Sequence, residues 1–307
     1  MNSPYLFSVP KQKQIRVIVH TDCKNEADDQ YALVHHLLTP RFCIKGVIAG
    51  HFEGKQGQGQ GRSMDQSYDE ILKVLALMGQ EGRYPVLQGA PVPMESEQTA
   101  VDSPGARFII EEAMRDDDMP LFVVFLGSIT DMASALLRKP EIADRLTAVW
   151  IGGGEWPTGG FEFNLMQDIH AANVVFQSTL PLWQIPKNVY EMMKISITEL
   201  QCKVRPYGEI GRYLFDQLVA LNDACADEPW PQGESWCLGD QPTVSVLLET
   251  HTHAFHWKPA PRVSPEMFYI HGQNARPIRV YHYVDARMTF EDFFCKLMLH
   301  FPSGSQA

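Results

Sequence analysis

Three carboxylates beside a predicted strand form the stretch of this chain best suited to chemistry. Asp22 follows the apolar run 15–19, which predicts a buried strand, and Asp28 and Asp29 open a helical pattern that stops at Pro40. Because ligands bind at the carboxyl ends of strands in an α/β sheet, the carboxylates should converge there and repel one another unless a cation neutralises them. Oxygen ligands alone favour a hard ion, Ca²⁺ or Mg²⁺. The alternative is an ordinary acidic helix start, since aspartate there complements the helix dipole.

Length and composition are those of a globular protein. The chain has 307 residues, 45% hydrophobic and 21% charged, which is enough for one sizeable core. We therefore expect a single domain over residues 1–307, with the polar segment 1–14 as a peripheral tail.

Charge and cysteine usage exclude several classes of partner. The formal net charge of -11 argues against non-specific binding to nucleic acid or to anionic membranes. No apolar run approaches the roughly 20 residues that span a bilayer, and the first nine residues lack a secretory leader pattern. The six cysteines are far apart, without a CxxC pair, which is typical of free thiols in a reducing compartment. We expect a cytoplasmic protein with no nucleic-acid or membrane partner.

Apolar runs and helical patterns alternate along most of the chain. The predicted strands cover residues 15–19, 42–49, 85–87, 121–126, 147–151, 182–185, 268–270 and 278–284. Helical patterns stand between most of these runs, and others cover 207–221, 244–248 and 289–299. This alternation predicts an α/β fold with one mostly parallel central sheet and helices on both of its faces.

The glycine-rich segment 54–61 follows the second predicted strand. Its glycine spacing invites a phosphate-loop interpretation, but the GK[ST] ending of such loops is missing. A flexible loop is favoured, and its position after a strand end would allow it to act as a lid.

Four motifs lie in a fixed order at expected strand ends. They are the acidic stretch 20–29, the turn 126–131 (LGSITD), the glycine run 152–154 with the EFN of 162–164, and the Gly-Asp pair 239–240. In this order they resemble the nucleoside hydrolase family of the inosine–uridine-preferring type, over about residues 15–299. The resemblance implies the nucleoside hydrolase fold, Ca²⁺ as cofactor, and a homodimer or homotetramer, because the family is commonly dimeric or tetrameric.

The resemblance also implies a role for each matching residue. The calcium ligands would be Asp22, Asp29, Asp240 and the backbone carbonyl of Leu126. Asp28, Glu162 and Asn164 would hold the ribose hydroxyls, and Asp22 would also take the proton from the attacking water. The implied catalytic set is Asp22, Asp28 and Asn164. Together they imply hydrolysis of the N-glycosidic bond of a ribonucleoside or related N-riboside, with a metal-bound water as nucleophile.

The sequence departs from the family pattern inside the acidic motif. His20 replaces the first aspartate of that motif, and two extra residues separate Asp22 from Asp28. The loop must therefore be rebuilt, which would direct Asn25 or Glu26 into the site. We expect Asn25 to bind substrate and His20 to be a buried histidine that hydrogen-bonds Asp22.

A second departure concerns the leaving base. Gly239 stands where many family members have a histidine that protonates the base, and no histidine lies between residues 91 and 105. The candidates for a replacement contact are His51, Glu53, Trp156, Trp236 and His251-Thr252-His253. His51 is the one that we include among the predicted substrate-binding residues. Each has a structural alternative, because tryptophans mostly pack in cores or at rims and single histidines are mostly structural.

Two other functions remain open on the sequence. The missing histidines would suit a sugar- or nucleoside-binding protein on the same scaffold with little or no turnover. The acidic cluster would suit a Mg²⁺ phosphohydrolase, but that chemistry needs lysine or arginine clamps for phosphate, and Lys24 is the one cation near the motif.

Overall fold

Strands and helices of the computed structural model alternate along residues 4–54, 62–250 and 254–303, which are the residues that it describes. The strands are β1 Ile15–Thr21, β2 Phe42–Ala49, β3 Val86–Gln88, β4 Leu121–Phe125, β5 Thr147–Ile151, β6 Leu182–Ile185, β7 Lys194–Ser196, β8 Ser235–Cys237, β9 Phe255–Pro259, β10 Arg262–Val263, β11 Tyr269–Ile270 and β12 Pro277–Tyr281. The helices are α1 Asp29–Leu38, α2 Arg62–Leu77, α3 Pro104–Ala113, α4 Thr130–Arg138, α5 Phe163–Gln167, α6 Ile169–Gln177, α7 Lys187–Tyr190, α8 Ile197–Lys203, α9 Gly208–Ala224, α10 Pro242–Leu248 and α11 Ala286–His300.

One eight-stranded sheet organises the molecule. Its strand order is β3-β2-β1-β4-β5-β6-β12-β9, and each neighbouring pair is parallel except β12 and β9. The predicted single-domain α/β fold with a mostly parallel sheet is therefore confirmed. The predicted helical cover on both faces is confirmed as well.

Alternate residues of β1 pack into two separate cores. Val17 and Val19 belong to a core shared with α1, α9, α10 and α11 on one face of the sheet. Ile18 belongs to a core shared with α3, α4 and α6 on the other face. Because both faces of the strand are covered, β1 is an unbroken apolar run rather than an alternating one.

The position of the site follows from the strand order. The chain runs outward from β1 through β2 to β3, then returns to place β4 on the other side of β1. The loops that leave β1 and β4 therefore diverge at the carboxyl edge of the sheet and leave a crevice between them. Asp22 lies directly after β1, and Leu126 lies directly after β4.

The second half of the chain differs most from the sequence prediction. β7 and β8 form a two-stranded antiparallel sheet, β9 adds the antiparallel edge of the main sheet, and none of the three was predicted. β11 pairs with β10 rather than joining the main sheet, as β12 does. Strands of two or three residues are too short to show a periodic pattern, and their partners are distant in sequence.

Two interpretations fall on residues that the structure does not describe. The glycine-rich lid (55–61) and the cluster His251-Thr252-His253 lie outside the described ranges. Among the described residues, no helix is both long and apolar enough to cross a bilayer.

Candidate active site

A cavity opens at the carboxyl edge of the sheet, where β1, β4, β5 and β6 end. Its lining residues are Asp22, Asn25, Glu26, Asp28, Asp29, Leu126, Ile151, Glu162, Phe163, Asn164, Tyr190, Gly239 and Asp240. This set contains every predicted site residue except His51. Residues more than 200 positions apart in the chain therefore share one pocket.

Three carboxylates in this cavity are close enough to share one cation. One side-chain oxygen each from Asp28, Asp29 and Asp240 lies within 4.8 Å of the other two. Asp28 and Asp29 are held by the start of α1, where the Asp28 carbonyl accepts from the Tyr31 amide at 3.0 Å. The Asp240 carbonyl accepts from the Thr243 hydroxyl at 2.7 Å, which fixes that residue just before α10.

Asp22 lies in the same cavity and is 1% exposed. Its Oδ2 atom is buried and has no hydrogen-bond partner among the described residues. A Cβ on Gly127 would lie 2.4 Å from the Asp22 carboxyl carbon, so glycine at 127 leaves the space that this carboxylate occupies. A buried carboxylate oxygen without a protein donor indicates a partner that is not protein.

Burial and mutual repulsion disfavour the charged forms of these acids. Burial, and then repulsion from Asp29, raise the pKa of Asp22 well above its usual range. Burial, followed by repulsion from Asp28, raises the pKa of Asp29 to about 7, and burial raises the pKa of Asp28 to about 6. Within the lining residues that the structure describes, no lysine, arginine or histidine offsets this charge. A divalent cation would neutralise it.

Asn164 joins two sides of the cavity. Its Nδ2 donates to the Leu126 carbonyl at 2.7 Å and to the Ile151 carbonyl at 2.9 Å. Both amide hydrogens are therefore committed, and Oδ1 is the atom through which Asn164 can bind a ligand, as an acceptor. The Leu126 carbonyl has a second lone pair and can accept from Asn164 while it binds a cation.

Glu162 has four donors around its carboxylate. Oε1 accepts from the Asn164 amide at 3.1 Å and the Tyr190 hydroxyl at 2.9 Å. Oε2 accepts from the amides of Gly153 and Leu165, both at 2.8 Å. Glu162 thus caps α5, ties it to the end of β5, and holds Tyr190 against the cavity.

The loop between β1 and α1 presents Asn25 and Glu26 to the cavity. The Asn25 amide donates to the Asp22 carbonyl at 2.8 Å, and the Ala27 carbonyl accepts from Gln217 Nε2 at 2.9 Å. The carboxylate of Glu26 accepts from the indole N–H of Trp236 at 3.0 Å. The rebuilt loop is therefore held at three points.

His20 does not bond Asp22, and that prediction is wrong. The imidazole Nε2 lies 2.9 Å from Asp131 Oδ2, in the first turn of α4. Asp131 also accepts from the amide of Ala90 and the hydroxyl of Ser103. His20 lies on the sheet face covered by α3 and α4, where Asp131 is within hydrogen-bonding distance of its ring.

The other leaving-group candidates lie outside the cavity lining. His51 is buried, its Nε2 lies 2.8 Å from the Thr130 hydroxyl, and burial lowers its pKa to about 4. Glu53 accepts from the backbone amide of Ser63 at 2.8 Å. The Trp156 indole donates to Gln184 at 2.9 Å. The Trp236 indole donates to Glu26, which lines the cavity.

Tyr190 is a lining residue that the sequence did not indicate. It lies in α7, directly after β6, and its hydroxyl donates to Glu162. A Cβ on Gly239 would lie 3.1 Å from Tyr190 Cδ2 and 3.5 Å from Asp28 Oδ2. The one sequence signal for Tyr190 as a site residue was its position shortly after the predicted strand 182–185. Nothing in the sequence showed that the missing side chain at 239 makes room for this ring.

The chain is similar in sequence to one group of known proteins and in fold to several solved structures. A 28% identical relative, over 258 residues, is the pyrimidine-specific ribonucleoside hydrolase RihA of Enterobacter sp. (strain 638), with 74% of this chain and 78% of that protein aligned. A purine-preferring ribonucleoside hydrolase from Gardnerella vaginalis superposes with a TM-score of 0.75 at 20% identity, covering 93% of this chain and 99% of that one. The type III effector XopQ, solved with adenosine diphosphate ribose, superposes with a TM-score of 0.68 at 15% identity, covering 94% of each chain.

A family model matches most of the chain. The model of the inosine-uridine preferring nucleoside hydrolases matches residues 17–289, which contain every lining residue of the cavity. The matched span begins inside β1 and ends inside α11. The chain therefore belongs to the inosine-uridine preferring nucleoside hydrolase family and is an N-glycosyl hydrolase.

Proposed function

We propose that this enzyme uses Ca²⁺ to hydrolyse the N-glycosidic bond of a ribonucleoside or related N-riboside, releasing ribose and the base. The observation that carries the proposal is the group of buried carboxylates beside an available carbonyl, in a cavity whose described lining has no basic side chain. Such a site suits a hard cation and a neutral polyhydroxylated substrate.

The proposed metal ligands are Asp22, Asp29, Asp240 and the carbonyl of Leu126. All four are oxygen donors, and the unpartnered Oδ2 of Asp22 supports this set. The described lining offers no thiol or imidazole that would favour zinc. When bound, the cation would offset the carboxylate charge and lower the pKa of a water molecule in the site.

The proposed nucleophile is water, and the proposed base is Asp22. Its buried Oδ2 can accept a proton without first breaking a protein hydrogen bond. Cleavage passes through a transition state with positive charge on the ribose ring, which the surrounding carboxylates would stabilise. The proton ends on Asp22, and the bond electrons leave with the base.

Asp28 and Asn164 are the proposed ribose ligands. Asp28 is the more accessible of the clustered aspartates, at 9% exposed, and can accept from sugar hydroxyls. Asn164 can accept through Oδ1, because its amide hydrogens are already donated. Glu162 was expected to hold the sugar directly. Since its two oxygens already accept four bonds, we assign it instead to holding Asn164 and Tyr190 in position.

The two alternative functions have less support. A phosphohydrolase would need cationic groups for phosphate, and the described lining has none; Lys24 pairs with Glu70 at 3.5 Å instead. A binding protein without turnover would bind ribosides but release no ribose, so turnover separates it from the proposed enzyme.

The direct test is ribose release from a nucleoside panel by the purified enzyme with Ca²⁺. We expect release from at least one ribonucleoside, lost after chelation and restored by Ca²⁺. Asp22→Asn should abolish it, while Asp69→Asn, on the exposed face of α2, should not. Release that persists unchanged in Asp22→Asn, or after chelation, would contradict the proposed mechanism.

A further inference from the structure

We propose that Glu26 recognises the leaving group by accepting a hydrogen bond from an N–H of the aglycone. This inference rests on the proposed function and deepens it. Among N-ribosides, it favours those whose leaving group carries an N–H, such as a purine or pyrimidine. Trp236 is the positioning residue that fixes Glu26.

Depth within the cavity places Glu26 on the aglycone side. The proposed metal ligands Asp22, Asp29 and Asp240 are 1–4% exposed and form the floor of the cavity. Asn25 and Glu26 are half-buried and stand nearer the mouth. A ribose held by the floor would direct its aglycone towards the mouth.

The side chain of Glu26 is held in a fixed position. Trp236 is 3% exposed and lies in β8, where it pairs with Ile195 of β7. Its indole N–H donates to Glu26 Oε1 at 3.0 Å. Because an indole nitrogen can only donate, the pair requires Glu26 to act as acceptor.

Glu26 still has acceptor capacity to offer a ligand. The bond from Trp236 is the one hydrogen bond of its carboxylate within the described part of the chain. A carboxylate has about four lone-pair sites, so Oε2 is available to an N–H donor. Burial, and then repulsion from Asp28 and Asp29, raise the pKa of Glu26 well above its usual range, whereas the Trp236 N–H lowers it and the proposed cation would offset the repulsion. In its charged, accepting form Glu26 would make one of the stronger contacts that a ligand N–H can find.

The other acidic side chains of the cavity already have partners or proposed roles. Glu162 accepts four protein donors, and Asp22, Asp29 and Asp240 are proposed to hold the metal. Asp28 is proposed to bind the ribose. Tyr190 donates its hydroxyl to Glu162. Glu26 is therefore the acidic lining residue left for the aglycone.

The test compares two ribosides that share the sugar and differ in the leaving group. Inosine offers an N–H on its base, whereas p-nitrophenyl riboside offers none. Loss of a hydrogen bond to a charged group costs roughly 10- to 100-fold in affinity or rate. We expect Glu26→Ala to lower kcat/KM for inosine by that factor and to leave p-nitrophenyl riboside within about twofold of the parent.

Two further variants and two matched controls sharpen the test. Glu26→Gln keeps an acceptor oxygen and should recover part of the inosine activity. Trp236→Phe keeps the packing but removes the N–H, and should give a smaller, inosine-selective loss. The matched controls are Glu234→Gln, an exposed carboxylate in the same segment, and Trp230→Phe, a 48% exposed ring beside Trp236. Neither control should change the ratio of kcat/KM for inosine to kcat/KM for p-nitrophenyl riboside.

Each outcome has a definite meaning. Equal loss on both substrates, or no loss on either, would overturn the assignment of Glu26 while the proposed function stands. A parent enzyme that releases ribose from p-nitrophenyl riboside and from every member of the nucleoside panel at no measurable rate would overturn the proposed function and this inference with it. The Ca²⁺-induced rise in melting temperature should be unchanged in Glu26→Ala. If that variant does not fold, Trp236→Phe and Glu26→Gln decide the question by the same substrate ratio.

Discussion

Asn164 Nδ2 donates to the Leu126 carbonyl at 2.7 Å, so a proposed ribose ligand is bonded directly to a proposed metal ligand. The same Nδ2 donates to the carbonyl of Ile151, the last residue of β5, and β5 is the strand beside β4. The sugar and metal parts of the site are therefore one bonded unit rather than two adjacent sites. Substitutions at Asn164 should therefore affect both ribose binding and metal binding.

The first prediction concerns Asn164→Ala. We expect kcat/KM for any accepted riboside to fall by at least about 100-fold, because an orienting sugar contact and the support of Leu126 are both lost. Two buried carbonyls lose a donor, which costs about 1–3 kcal/mol of folding stability.

Asn173→Ala is the matched control, since Asn173 makes two similar bonds to the Val263 backbone, remote from the cavity. It should lose comparable stability and keep its activity. Similar activities in the two variants would remove Asn164 from the site.

The second prediction concerns metal binding. Ca²⁺ should raise the melting temperature of the parent, because a ligand that binds the native state alone stabilises it. In Asp240→Asn this rise should largely disappear, since one charged oxygen ligand is lost. In Asp216→Asn, a change on the exposed side of α9, the rise should match the parent. An unchanged calcium response in Asp240→Asn would exclude Asp240 as a ligand.

The third prediction concerns the leaving group. The described lining has no histidine, so acid assistance to a departing base should be weak. General acid help is typically worth 10²–10⁴-fold, and p-nitrophenolate departs without it. We expect kcat/KM for p-nitrophenyl riboside to exceed that for inosine by at least about 100-fold. Glu26, as an acceptor, would bind the base without protonating it. Comparable values for the two substrates would show that an acid acts on the base after all.

The fourth prediction concerns Gly239→His, which introduces the histidine typical of the family. Tyr190 Cδ2 lies 3.1 Å from where the new Cβ would be, and the Tyr190 hydroxyl is bonded to Glu162. We expect the single variant to lose stability by about 1–3 kcal/mol through overpacking, without any gain in inosine hydrolysis. Gly239→His with Tyr190→Ala should regain stability relative to the single variant, as chemical unfolding would measure. A single variant as stable as the parent would show that Tyr190 moves freely.

The fifth prediction concerns pH. Asp28 and Asp29 have pKa values raised to about 6 and 7, so the metal-free native state binds more protons than the unfolded state. Its stability should therefore rise as pH falls from 8 towards 6.5. His36 and His51 have pKa values lowered to about 3 and 4, so the unfolded state takes up protons first below about 6.5.

Below about pH 6.5 proton uptake by these carboxylates in the native state offsets proton uptake by the two histidines in the unfolded state, so metal-free stability should rise from pH 8 to about 6.5 and show no net decline towards pH 5. Each buried histidine should cost about 2 kcal/mol by pH 5, because its proton uptake is confined to the unfolded chain. Saturating Ca²⁺ would hold the carboxylates in their charged form, so it should remove the decline above pH 6.5 and reveal the histidine-dependent decline below it. Melting temperatures from pH 5 to 8, in chelator and in Ca²⁺, would measure both effects. A flat metal-free profile above pH 6.5 would mean that the carboxylates do not repel one another as described.

The sequence by itself determined the parallel sheet and most of the residues in the site. The apolar runs that became β1, β4 and β5 are continuous because both faces of these strands are covered, and that pattern is local. Asp22 and Asp28 were identifiable as candidates because Asp22 follows a strand and Asp28 opens a helix, whereas Asn164 and Asp240 were indicated by the resemblance of their motifs to the family pattern. Both signals are local, so they can be recognised without knowing which strands are neighbours.

Only the tertiary structure decided the contacts between distant segments. His20 bonds Asp131 rather than Asp22, Tyr190 fills the space left at Gly239, and Trp236 holds Glu26. The two partners of each pair are 49 to 210 positions apart in the sequence. Such contacts depend on which helix covers which face of the sheet and on where a short strand such as β8 pairs. Side-chain packing at those junctions has no periodic signal in the sequence, because it is set by the assembled fold.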